Sequence, residues 1–250
     1  MYTIISQFID LDIIISNNIN FTFNIQLDND FDKIKNENIN NIDVNDMIYS
    51  NPQLINIIEK NYEKNPDKIN WNMLCLNNNI KVINILEKNP DKINWSILSG
   101  NPCAIHLLEK NIDKIDWNML CSNTNGIELL QKYTDNINWH ILSSNPSAIN
   151  MLIHCQNYIN FDILSMNPSA MNLLYINHPL INWKLLCANT SDEAIELLNK
   201  FPKKIDWDIL SCNPSAINIL KKNPDKINWK LILSNPKCLE LFGEQLVINI

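Results

Sequence analysis

The sequence predicts an all-α protein, an α-solenoid of about eight repeats of 22–24 residues, each made of two short helices. Three observations predict it. Tryptophans at Trp71, Trp95, Trp117, Trp139, Trp183, Trp207 and Trp229, with Phe161 in the one gap, are spaced 24, 22, 22, 22, 22, 24 and 22 residues apart. The heptapeptide NPDKINW occurs at 65–71, 89–95 and 223–229. An Asn or Asp precedes each aromatic, and a second Asn follows it by six residues in all eight units.

With the aromatic as position zero, the residue before it reads as an N-cap whose side-chain oxygen accepts from free backbone N–H groups. Helix B is therefore expected to start at the aromatic and run to about +5, with apolar residues at +2 and +3. Asn at +6, commonly followed by Pro, reads as a second cap with Pro at the first helical position. Helix A is expected over about +7 to +16, with a small residue at +9 (Ala104, Gly126, Ala148, Ala170, Ala216) and apolar residues at +10, +12 and +13. Both longer units carry their extra residues after Asn77 and Asn189, a loop position. Helices this short need neighbouring units to bury their apolar stripes, because nucleation is costly below roughly 12–15 residues. A leucine-rich repeat has a similar period but requires an apolar residue at +1, which is polar throughout, from Asn72 to Lys230.

The ends depart from the template. Val44 takes the aromatic slot of a degenerate first unit whose helix A is about a turn longer, and Asn235-Pro236 opens a last helix A through Leu241 and Phe242. Residues 1–41 do not repeat. They are read as an N-terminal cap with a β-hairpin as its candidate structure, on the strict alternation of residues 21–27, and residues 42–250 as the helical repeat solenoid.

Composition fits a folded chain with a strong bias. There are 45 Asn and 42 Ile, and 20 Lys with no Arg. A net charge of −7 without Arg argues against nucleic acid, whose binding rests on cations neutralising phosphates. The N-terminal apolar run lacks a basic region and is broken by Asp10 and Asp12, so neither a signal peptide nor a membrane span is expected. The seven cysteines form no CxxC pair and are expected as reduced thiols. At +4, Cys75, Cys121 and Cys187 alternate with Ser99, Ser143, Ser165 and Ser211, which reads as a small packing site. His154-Cys155 has nothing nearby to complete a zinc site. With three glycines and no phosphate loop or hydrolase motif, no catalytic residue, metal ligand, cofactor or small-molecule substrate is assigned.

Trp71, Trp95, Trp117, Trp139, Phe161, Trp183, Trp207 and Trp229 are expected as structural anchors in the core rather than stacking platforms. The candidate partner-binding face is a neutral polar ladder at the outward positions +8 and +11: Ser147/Asn150, Ser169/Asn172 and Ser215/Asn218.

The unit NPxAIxLLEKNxDKIxW, in the form of Asn101-Pro102 to Trp117, resembles tandem repeats in proteins of giant nucleocytoplasmic DNA viruses of the mimivirus-like group. The resemblance covers roughly residues 45–245, and the Asn/Ile/Lys bias agrees with A/T-rich genomes of that kind. It implies a location in host cytoplasm or a viral factory and supplies no catalytic residues. The expected function is a non-enzymatic interaction scaffold with a protein partner, with a structural virion component as the alternative.

Overall fold

The computed structural model of the protein describes residue 49 and residues 51–241. The expected cap at 1–41 with its hairpin, the Val44 slot and Phe242 lie outside these residues. Among the described residues there are α-helices and short 3-10 turns and no strand, so the fold is an all-α solenoid and the leucine-rich alternative fails. The chain divides into two compact units, the first ending at Leu129 and the second beginning at Leu130.

Helix B starts at the aromatic as expected. It spans Trp71–Leu76, Trp95–Ser99 and Trp117–Ser122 in the first unit. In the second it spans Trp139–Leu142, Phe161–Leu164, Trp183–Leu186 and Trp207–Cys212. Each is capped by the preceding Asn or Asp; Asn70 Oδ1, for instance, accepts from the Met73 N–H at 3.2 Å. The exception follows Trp229, where Asn228 still accepts from Leu231 N–H at 3.2 Å but only a 3-10 turn, Ile232–Ser234, forms. A further 3-10 turn, Cys238–Leu241, follows it.

Helix A differs from expectation. Pro102–Ala104, Pro146–Ala148 and Pro214–Ala216 are 3-10 turns, and the α-helix begins one residue later, at Ile105, Ile149 and Ile217. The reason is local. Proline has no N–H to give, and the Ala N–H bonds the Asn carbonyl three residues back, at 3.1 Å in each case. The first helix A, Ile55–Lys64, is longer, as expected. NPDKINW likewise contains a 3-10 turn (Pro66–Lys68, Pro90–Lys92, Pro224–Lys226) before an extended, buried Ile and the capping Asn.

The core is the row of +3 residues, Leu74, Leu98 and Leu120 in the first unit and Leu142, Leu164, Leu186, Leu210 and Ile232 in the second, all fully buried. The +9 slot is likewise closed to solvent, filled by Ala104, Ala148, Ala170 and Ala216, and by Val82 and Ala194 where the extra residues shift the register.

Three rows of hydrogen bonds join successive repeats within each unit. On the outside, the +1 side chain meets the next N-cap: Ser96 Oγ donates to Asp116 at 2.6 Å, and Asn182 and Asn228 donate to Asp162 and Asp208 at 2.8 and 2.7 Å. This explains why +1 is polar. Deeper, the +4 hydroxyl links its own helix to the next repeat. Ser165 Oγ donates to the Phe161 carbonyl at 2.8 Å and accepts from the Asn182 N–H at 3.0 Å; Cys187 does the same through Sγ, at 3.3 Å in both bonds. The +4 position is thus a relay as well as a packing site.

The innermost row is made by the +6 asparagines, all at most 3% exposed. Asn167 Oδ1 accepts from the Ser169 N–H at 3.0 Å, while Nδ2 donates to the Ser143 and Asn145 carbonyls of the preceding repeat at 3.0 and 3.1 Å. Asn101 and Asn123 repeat the pattern in the first unit, and Asn189, Asn213 and Asn235 in the second. Each of these amides uses both donors and its oxygen, as burial demands.

Candidate functional site

The polar ladder is where the +8 and +11 registers of helix A reach solvent. Ser147, Asn150, Ser169, Asn172 and Asn218 are exposed and Ser215 is half-buried. The backbone beneath is held by the asparagine row: the Ser147, Ser169 and Ser215 N–H groups bond Asn145, Asn167 and Asn213 Oδ1 at 2.9 to 3.0 Å. Ser215 is further tied down, its Oγ donating to the Thr190 carbonyl at 2.7 Å. Ser215 and Asn218 border an open groove of about 300 Å³ shared with Asp192, Glu196, Asn199 and Lys222.

The ladder is not continuous. In the longer unit the same registers hold Glu193 and Glu196, both exposed, so an acidic pair separates Ser169/Asn172 from Ser215/Asn218. The two-residue shift after Asn189 conceals this in a simple 22-residue count.

The aromatic anchors stand at the margin of the core rather than inside it. Trp71, Trp95, Trp117, Trp139, Phe161, Trp183 and Trp207 are half-buried, and Trp229 is 51% exposed. The +3 Leu or Ile of each repeat is fully buried, and at the first helical position the indole packs on that core from its rim, as Trp71 and Trp95 do in the first unit. Several rings pack there on other aromatics. Trp139 stacks on Tyr158 at 5.0 Å, Trp71 meets Tyr62 edge-on at 6.4 Å, and Trp183 contacts His178 and Phe201 at 5.5 and 5.1 Å.

The thiols are free, with Cys75, Cys121 and Cys187 buried. Burial pushes the Cys187 thiol up to about 11, against the bond from the Asp206 N–H, and raises Cys75 and Cys103 as well. On the surface, Glu87 lies below the usual carboxylate range because Lys110 donates to it at 2.6 Å. Among the described residues no three His, Cys, Asp or Glu side chains converge as metal ligands, and no helix is long and apolar enough to cross a membrane.

Fold and surface together define an all-α repeat protein of solenoid type, with interlocked repeats and a periodic solvent face. Comparison with protein-family models, curated proteins and solved structures returns no match.

Proposed function

We propose that the protein is a non-enzymatic interaction scaffold that presents side chains to a protein partner at fixed intervals. The observation that supports this most is the pairing of a pinned backbone with a solvent-facing ladder. Ser147/Asn150 and Ser169/Asn172 recur 22 residues apart in the second unit, above asparagines that fix their N–H groups. Such a surface is ordered before binding, which lowers the entropic cost of association. The thiols favour the same reading: burial raises their pKa and suppresses the thiolate a nucleophile would need. The resemblance to giant-virus repeats makes a host protein the partner to seek first.

The test is affinity capture with Lys placed together at Asn150, Asn172 and Asn218. These residues are exposed, so the helical circular dichroism and melting temperature should stay unchanged while partner capture is lost. Unchanged capture would remove this face from the account.

A further inference from the structure

We propose that the edge carrying residues 153–158, 175–180 and 199–204 docks an acidic peptide segment with aliphatic or aromatic anchors, a reading that rests on the scaffold function and names its partner class. The edge is the stretch from eight to three residues before each aromatic. In the first unit it reads EKNPDK at 63–68 and 87–92 and EKNIDK at 109–114, with as many acids as lysines. Neighbouring copies pair in solvent, Lys110 Nζ donating to Glu87 Oε1 at 2.6 Å.

In the second unit the same stretch reads IHCQNY, YINHPL and NKFPKK in succession. Ile153 and Ile176 take the positions of Glu87 and Lys110, and are 41% and 78% exposed. Tyr158 and Leu180 stand where the template has Lys, 62% and 51% exposed. Tyr158 stacks on Trp139, but side chains as exposed as Ile153, Ile176 and Leu180 gain little from folding, and the first unit shows that the fold accepts charge at these positions, so packing of the repeats does not account for them. Beside them a nest is already built: Phe201 lies 5.8 Å from His178 and 5.1 Å from Trp183, with Lys204 Nζ 5.9 Å above the Trp183 ring.

Charge selects the occupant. The chain carries −7 overall, yet the edge segments between 131 and 226 hold seven lysines against Asp135 and Asp225. Lys203 stands where Asp67, Asp91, Asp113, Asp135 and Asp225 stand in other repeats. An apolar patch with a lysine rim on an acidic protein complements a peptide of opposite pattern. The rings of Tyr158, Tyr175 and Phe201 can stack bases, but a nucleic acid fits less well because the chain has no Arg and carries −7 overall.

The experiment titrates a fluorescein-labelled peptide alternating Glu and Asp with Leu and Phe, in low and raised salt, against the intact protein. Parallel titrations use a peptide with Ser for Leu and Phe, and labelled oligothymidine. The comparison variant returns the edge to the template with Ile153→Glu, Ile176→Lys and Lys203→Asp, changes that other repeats tolerate. Saturable binding of the apolar acidic peptide, weakened about tenfold or more by the variant and by the Ser peptide, is the expected result. Equal affinity for the variant, tighter binding of oligothymidine, or sedimentation showing the patch closed by a second copy would each overturn it. If the peptide fails while the Asn150/Asn172/Asn218 lysine variant still loses partner capture, the scaffold reading stands and this edge does not.

Discussion

Replacing Asn167 with Ala removes one rung of the inner row, and the structure sets the scale of the loss. The Ser169 N–H loses its acceptor at 3.0 Å, and the Ser143 and Asn145 carbonyls lose donors at 3.0 and 3.1 Å. The Asn145 carbonyl still accepts from the Ala148 N–H at 3.1 Å, so the main damage falls on Ser169 and Ser143. The buried Ser143 carbonyl left unpaired costs about 1–3 kcal/mol, and the Ser169 N–H, on an exposed residue, adds about 1 kcal/mol as a lost cap, giving about 2–4 kcal/mol. An ordinary N-cap contributes only about 1 kcal/mol. Asn160, half-buried, caps the helix at Phe161 by accepting from the Ile163 N–H at 3.0 Å; its side-chain link to the preceding repeat is an exposed contact with His140 Nδ1 at 2.8 Å, and it makes no bond of the inner row. Asn160→Ala is therefore the matched control. Urea unfolding followed by circular dichroism, with exchange of the Ser169 amide as a local readout, compares the two. Asn167→Ser separates the roles further, since its hydroxyl can still cap but cannot reach two carbonyls. Equal losses in Asn167→Ala and Asn160→Ala would mean the asparagine acts as a cap and nothing more.

Gly126→Ala should destabilise although most repeats carry Ala at that slot. Its new methyl would stand 2.8 Å from Leu120 Cδ1 and 2.9 Å from the Leu120 carbonyl, so a loss of about 1–3 kcal/mol in urea unfolding is expected, and a neutral result would contradict the geometry. Cys187 makes stability fall at alkaline pH. The unfolded thiol ionises near its ordinary value, the folded one only near 11, so its contribution is complete below about pH 8.5 and drains away as pH rises through 11, about 2–3 kcal/mol in all. Cys187→Ser, which can keep both relay bonds, should flatten that decline in unfolding measured from pH 8 to 11; parallel curves for the two proteins would refute the assignment.

Much of this fold is legible in the sequence because each repeat writes its boundaries in side chains with one local role. The residue before the aromatic caps helix B at nearly every joint, and the extra residues sit where the count places them. The inner row was harder to see, since Asn-Pro alone reads as a helix start. Yet the signal was there. In the longer units other residues cap helix A: Asn79 accepts from Lys81 N–H at 2.9 Å, and Ser191 from Ala194 N–H at 3.3 Å. Asn77 and Asn189 persist all the same, so a second role is required, and it is the bond to the preceding repeat. The half-exposure of the tryptophans is hidden from the sequence for another reason. Periodicity shows that a residue is in register with the core but not how far its ring protrudes, and at the first helical position the indole stays at the edge. The candidate face was readable in the repeats, whereas its acidic interruption was hidden by the register shift after Asn189.

Buried asparagine amides join successive repeats within each unit, and side-chain hydrogen exchange tests this directly. In protein labelled with nitrogen-15 at asparagine, the Nδ2 protons of Asn101, Asn123, Asn167, Asn189, Asn213 and Asn235 should exchange slowly as a group, by on the order of a thousandfold or more relative to those of exposed Asn78 and Asn157. Exchange of the buried set at the rate of the exposed pair would contradict the account.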